Sequence, residues 1–129
     1  MPGHPIEIIL LRELADHLST AIFVVDPDGV LVYYNEPAES LLGRRFDETG
    51  SMPLAEWSTI FTPTNGRGVP LPPEKLPLAI TLAEQRPAQG RIWIRGLDGV
   101  RRRIEIAAIP LKGQWGDELG AVAIFWEQR

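Results

Sequence analysis

Two hydrophobic periodicities alternate along this chain. In PIEIILLRELADHL, residues 5 to 18, Leu11, Leu14 and Leu18 recur at helical spacing behind Pro5, a residue suited to a first turn, so the pattern predicts a helix. Ile6, Ile8, Ile9 and Leu10 spread apolar groups around more of its circumference than one buried stripe requires. The surplus needs cover, either from the helix's own domain or from a second copy of the chain, with Ile6, Ile9, Leu10 and Leu14 as the contact in the second case. AIFVV and VLVYY then flank DPDG, with Pro27 suited to the first corner and Gly29 to the left-handed position, which predicts a hairpin. NEPAESLLG follows as a helix of about two turns, with Asn35 able to cap it, Pro37 in its first turn and Gly43 just past its end.

From Phe46 to Pro73 the periodicity lapses among Pro53, Pro63, Pro70, Pro72, Pro73 and the turn signal TNGRG. Trp57, Ile60 and Phe61 predict one short buried turn there, and a loop of this length in a small domain is usually functional or clamped over something. PPEKLPLAITLAEQ reads as a second long helix, provided Pro77 lies in its first turn. RIWIRGLDGVRRRIEI, residues 91 to 106, alternates strictly. A three-residue loop of Leu97, Asp98 and Gly99 sets Arg95 opposite Arg101, Trp93 opposite Arg103 and Arg91 opposite Glu105, leaving Ile92, Ile94, Ile104 and Ile106 on the other face. A two-residue loop would mix the faces. Arg91 with Glu105 and Trp93 with Arg103 are then favourable cross-strand pairs, each worth ~0.2–1 kcal/mol. Arg102 is the one charged member of the apolar face, placed near the exposed turn end. ELGAVAIFWE and AIFVV are apolar on both sides and belong at the centre of a sheet covered twice, side by side. The prediction is an α+β domain: a five-stranded antiparallel sheet, short helices on one face and the N-terminal helix on the other.

Composition narrows the function more than any motif. The 129 residues make one domain, with 44% hydrophobic and 23% charged residues. No apolar run approaches the ~20 residues that span a bilayer, and acidic residues interrupt the opening stretch where a signal peptide would be apolar, so a cytoplasmic location is expected. The absence of cysteine removes disulfides, thiolate nucleophiles, thiolate metal sites and cysteine-anchored chromophores. A net charge of −4 argues against a general nucleic-acid binder, so the arginines of residues 91 to 103 are read as the solvated face of the hairpin. Asp26 with Asp28 is turn chemistry, and Glu36 with Glu39 suits a helix N-terminus; neither is an acid–base pair by spacing alone. No phosphate loop, dinucleotide fingerprint or HExxH occurs, and the serines have no histidine in a nucleophile-like context, so no enzymatic activity is expected.

FVVDPDGVLVYYNEPAESLLG, RIWIRGLDGVRRRIEIAAIPL and GAVAIFWE, in that order, resemble a bacterial PAS domain over residues 10 to 127, and FTPTNGRGVPLPPEKLPLAITLAEQ is similar to the version found in sensor histidine kinases and diguanylate cyclases. The resemblance implies a cytoplasmic, non-catalytic signal-transduction module: residues 1–19 as an N-terminal helix open to dimerisation, and residues 20–129 as the PAS domain. A pocket between the sheet and the small helices would receive a ligand, and the sheet or terminal helices would relay the change to an output domain or partner protein. The pocket candidates are Phe23, Val25, Trp57, Phe61, Leu78, Leu82, Ile104 and Phe125, with Tyr34 and Arg102 as polar members, the arginine able to hold a ligand carboxylate. The cysteinyl-flavin branch of the family needs a cysteine where NEPAESLLG stands, and the haem branch needs a histidine on the long helix, which has none. His4 and His17 are read as surface residues. Glu127, Gln128 and Arg129 stand where the family's exit motif would be, so the module is expected either as an excised sensor segment or as a free-standing one acting in trans. Three functions follow: a small-molecule sensor, a homodimerisation module without ligand, and a redox sensor with noncovalent flavin. No metal, nucleic acid or membrane contact is expected.

Overall fold

The computed structural model describes residues 6–128; His4, Pro5 and Arg129 lie outside the described residues. Helix α1 spans Ile6–Ala15 and stops short of the predicted Leu18. Its last turn tightens, with His17 N–H donating to Leu14 O and Leu18 N–H to Ala15 O, and Asn35 Nδ2 also donates to Ala15 O at 3.0 Å. Strands β1 (Ala21–Val25) and β2 (Leu31–Tyr34) form the expected hairpin. Asp26 Oδ1 accepts from the backbone of Asp28 and Val30, which closes the DPDG turn. Helix α2 (Glu36–Leu42) carries the predicted caps, Asn35 at its start and left-handed Gly43 at its end.

The stretch read as irregular holds two short helices, α3 (Phe46–Thr49) and α4 (Leu54–Ile60). Side-chain support from elsewhere makes α3 possible: the Glu39 carboxylate accepts from Phe46 N–H at 2.8 Å, a contact invisible to local periodicity. The predicted helix over PPEKLPLAITLAEQ is broken. A 3-10 turn at Pro73–Lys75 gives way to extended Leu76, and α5 (Pro77–Glu84) begins at the proline, which forces the residue before it out of the helical region. Strands β3 (Ala88–Arg95), β4 (Arg101–Lys112) and β5 (Glu118–Glu127) complete an antiparallel sheet in the order β2-β1-β5-β4-β3, so the two doubly apolar strands are central neighbours. The β3–β4 register is the one selected by the hydrophobic pattern, with Arg91 opposite Glu105, Trp93 opposite Arg103 and Arg95 opposite Arg101. Only the cation–π partner differs. Strand twist brings the diagonal Arg101, rather than Arg103, over the Trp93 ring at 4.4 Å.

Two cores sandwich the sheet. On one face Phe23, Val25, Leu31, Tyr34, Ile92, Ile94, Ile104 and Phe125 pack against side chains of α2, α4 and α5. On the other, Ile22, Val24, Val32 and Val122 meet Ile8 and Ala15 of α1, with Leu11 at the margin. The helix therefore covers the sheet with one narrow stripe. Its other apolar side chains, Ile6, Ile9, Leu10 and Leu14, stay 67%, 49%, 59% and 55% exposed.

Candidate functional site

Large apolar side chains, Phe23, Trp57, Phe61 and Phe125 among them, converge where the sheet meets α4 and α5. Trp57 is fixed there by its indole N–H, which donates to Gly29 O at 2.8 Å and ties α4 to the β1–β2 turn. Its ring meets Phe23 edge-on at 5.6 Å, and Phe23 stacks on Tyr34 at 6.0 Å. Beside this cluster lies a cavity of about 70 Å³. Phe23, Trp57, Phe61, Leu78, Ile104 and Phe125, all singled out in the sequence, line it.

Four other candidates lie elsewhere. Val25 and Tyr34 are fully buried in the core without reaching the cavity, and Leu82 packs at its margin beside Gly29. The Tyr34 hydroxyl donates to Arg44 O at 2.8 Å and lies 3.2 Å from Thr49 Oγ1, so it ties together the approach to α3 and its last residue. Burial, the largest influence, raises its pKa above the ordinary value. Arg102 turns its guanidinium away from the cavity: it donates to Leu41 O at 2.8 Å and pairs with Asp98 at 3.1 Å, and the hydrogen bond holds the Asp98 carboxyl below the usual carboxylate range. The orphan carbonyls at the end of α2 claim this arginine, so a role in gripping a ligand carboxylate has no geometric support.

The remaining wall comes partly from residues with a legible signal, Ile92, Ile94 and Ile106 on the apolar face of the hairpin. Pro63, Leu76 and Pro77 had none, since they reach the cavity only because the proline-rich loop folds back over it. That loop is held at the sheet edge by paired backbone bonds between Thr64 and Trp93, each 2.9 Å. Every lining side chain is apolar, so the site can exclude water and hold an apolar molecule, and its wall offers neither acid, base nor nucleophile. His17 is exposed beyond α1. Among the described residues no three His, Asp or Glu side chains are grouped to hold a metal ion, and no helix is long and apolar enough to cross a membrane.

The sequence model of one family, the PAS fold, matches residues 15–128. Solved structures similar to this chain include a PAS domain from Colwellia psychrerythraea, with 19% identity, coverage of 95% of this chain and 97% of that one, and a TM-score of 0.66. The PAS domain of BvgS from Bordetella pertussis shares 16% identity, with 95% and 85% coverage and a TM-score of 0.64. The light-state dimer of the fungal blue-light photoreceptor Vivid shares 14% identity, with 98% and 97% coverage and a TM-score of 0.66. No curated protein matches the chain in sequence.

Proposed function

The chain belongs to the PAS-fold family, a family of sensory modules, and from that premise we propose that it is a non-catalytic cytoplasmic sensor that binds a small apolar molecule and relays its presence to a signalling partner. The all-apolar cavity under the proline-rich loop carries this reading. Its volume of about 70 Å³ has room for a handful of water-sized spheres, below the ~300–1,000 Å³ of pockets that enclose drug-sized ligands. A noncovalent flavin would need both more space and polar groups facing its ring edge, and this wall supplies apolar side chains alone.

Xenon and benzene are probes of matching chemistry. Titration of either into the labelled protein is expected to shift the backbone amide resonances of Ile92, Ile94, Ile104 and Ala123, and to raise the unfolding midpoint. Filling the void by Ala123→Leu should abolish the shifts in a folded protein, and Ile94→Val, which enlarges the void, should strengthen binding. Absent shifts in the parent, or equal shifts in all three proteins, would remove the ligand-sensor reading.

The exposed stripe of α1 supports a second reading, in which two copies associate through Ile6, Ile9, Leu10 and Leu14. One of the similar structures, Vivid, is described as a dimer. The two readings are compatible, since the cavity and the stripe lie on opposite faces of the sheet.

A further inference from the structure

The outer face of β3 and β4 carries a run of arginines that the chain's own acids leave unneutralised. Elsewhere four guanidiniums find carboxylates, Arg44 with Glu48, Arg45 with Asp47, Arg86 with Glu84 and Arg102 with Asp98, while Arg12 lies over the Tyr33 ring and Arg67 stands apart from the others near the tip of its loop. On this face only Arg91 finds a carboxylate, that of Glu105 at 3.7 Å. Arg95 donates to a neutral acceptor, Gly99 O at 3.1 Å, and Arg101 lies over the Trp93 ring. Arg103 has no carboxylate partner among the described residues. Register sets Arg95 opposite Arg101, and like charges directly across a strand pair destabilise it. In a chain with 17 acidic and 13 basic side chains, three exposed guanidiniums without a carboxylate partner, beside the single acid Glu105 that Arg91 engages, make this face locally basic.

Apolar anchors continue along the same face. Trp126 stands opposite Glu105 and is 43% exposed, and Ile109, farther along β4, is 41% exposed. Tryptophan and arginine together are the side chains that dominate binding energy at protein interfaces. We propose that this face, Arg95, Arg101 and Arg103 around Trp93 and Trp126, is a docking surface for an acidic, partly apolar segment of a partner protein. Carboxylates of that segment relieve the Arg95–Arg101 repulsion, and its apolar side chains cover the tryptophan rings. A nucleic acid meets only three free guanidiniums on a molecule of net charge −4, and is repelled by the rest.

Fluorescence anisotropy tests this with three labelled probes: a peptide of Asp, Glu, Leu and Ser, its counterpart with Lys in place of the acids, and a single-stranded oligonucleotide of the acidic peptide's net charge. The acidic peptide is expected to bind tightest, and to bind the double variant Arg101→Glu/Arg103→Glu at least about tenfold more weakly. Arg44→Glu/Arg45→Glu, on another surface, should bind as the parent does. If the Glu variant fails to fold, Arg101→Gln/Arg103→Gln replaces it, with the same expectation. Absence of binding by the parent, or equal binding by parent and variant, overturns the proposal. Tighter binding of the oligonucleotide assigns the face to nucleic acid instead, and loss of self-association in the arginine variants assigns it to a second copy; either also overturns it.

Discussion

Asn35 joins more elements than any other polar side chain among the described residues. It is 1% exposed, and its Oδ1 accepts from Ile22 N–H at 2.9 Å and Ala38 N–H at 3.3 Å, while its Nδ2 donates to Ala15 O and Thr20 O. One amide therefore caps α2, satisfies β1 and pins the end of α1. Asn35→Ala leaves two donors and two acceptors to find new partners in a dry environment, and the expected loss is about 2–4 kcal/mol, read as a lower urea midpoint. Asn35→Asp keeps the acceptor but brings a buried charge and no donor for Ala15 O and Thr20 O, so it should fare no better. If alanine there costs no more than an ordinary exposed cap, about 1 kcal/mol, the joining role is refuted. Local pattern reveals the cap from Asn35 followed by Glu36 and Pro37; the bonds to residues 13 to 20 positions away become visible only when the fold is known.

The junction of α2 with the β3–β4 turn couples elements that are distant in sequence. Leu97 N–H donates to Leu42 O at 2.8 Å, Arg102 reaches Leu41 O, and left-handed Gly43 lets the turn approach so closely that a Cβ on it would lie 2.5 Å from Asp98 N. Asp98 steers the arginine, and its carboxyl is held below its ordinary value of 3.8 chiefly by the hydrogen bond from Arg102. A carboxyl shifted down in the folded state stabilises it fully above that ordinary value, and the contribution disappears as pH falls through the lower folded-state value. Asp98→Asn keeps the acceptor for Val100 N–H but not the charge. Urea unfolding across pH should show a small advantage for the parent near neutrality, modest because the group is exposed, and convergence of the two in acid; parallel curves would refute the coupling. The hairpin register and its apolar face were legible, because alternation and turn length constrain each other. The fate of Arg102 was not: the same pattern break serves a ligand or a helix end, and only the position of α2 decides.

At the scale of the whole molecule, the sheet's two faces divide the work that the sequence left ambiguous. Strand order and the covering of both faces follow from β1 and β5 being apolar on both sides, whereas the cavity needs the proline-rich loop to fold back, and no periodicity in it announces that. The first helix poses the sharper physical problem. Ile8 is 1% exposed and holds α1 to the sheet, yet Ile6, Ile9, Leu10 and Leu14 face solvent on the same ten-residue helix. Transfer of such side chains from water is favourable by about 1.5–3 kcal/mol each when burial is complete, a driving force toward association of two copies that works against a cost of pairing of about 4–15 kcal/mol. Sedimentation at micromolar concentration is therefore expected to show a dimer. Ile9→Glu with Leu10→Glu should yield a folded monomer with an unchanged far-ultraviolet spectrum, because neither side chain contributes to either core. Ile8→Glu, by contrast, should destabilise the chain itself by placing a carboxylate against Ile22, Val24 and Val122. A monomeric parent, or a dimer that survives the double substitution, would move self-association away from α1.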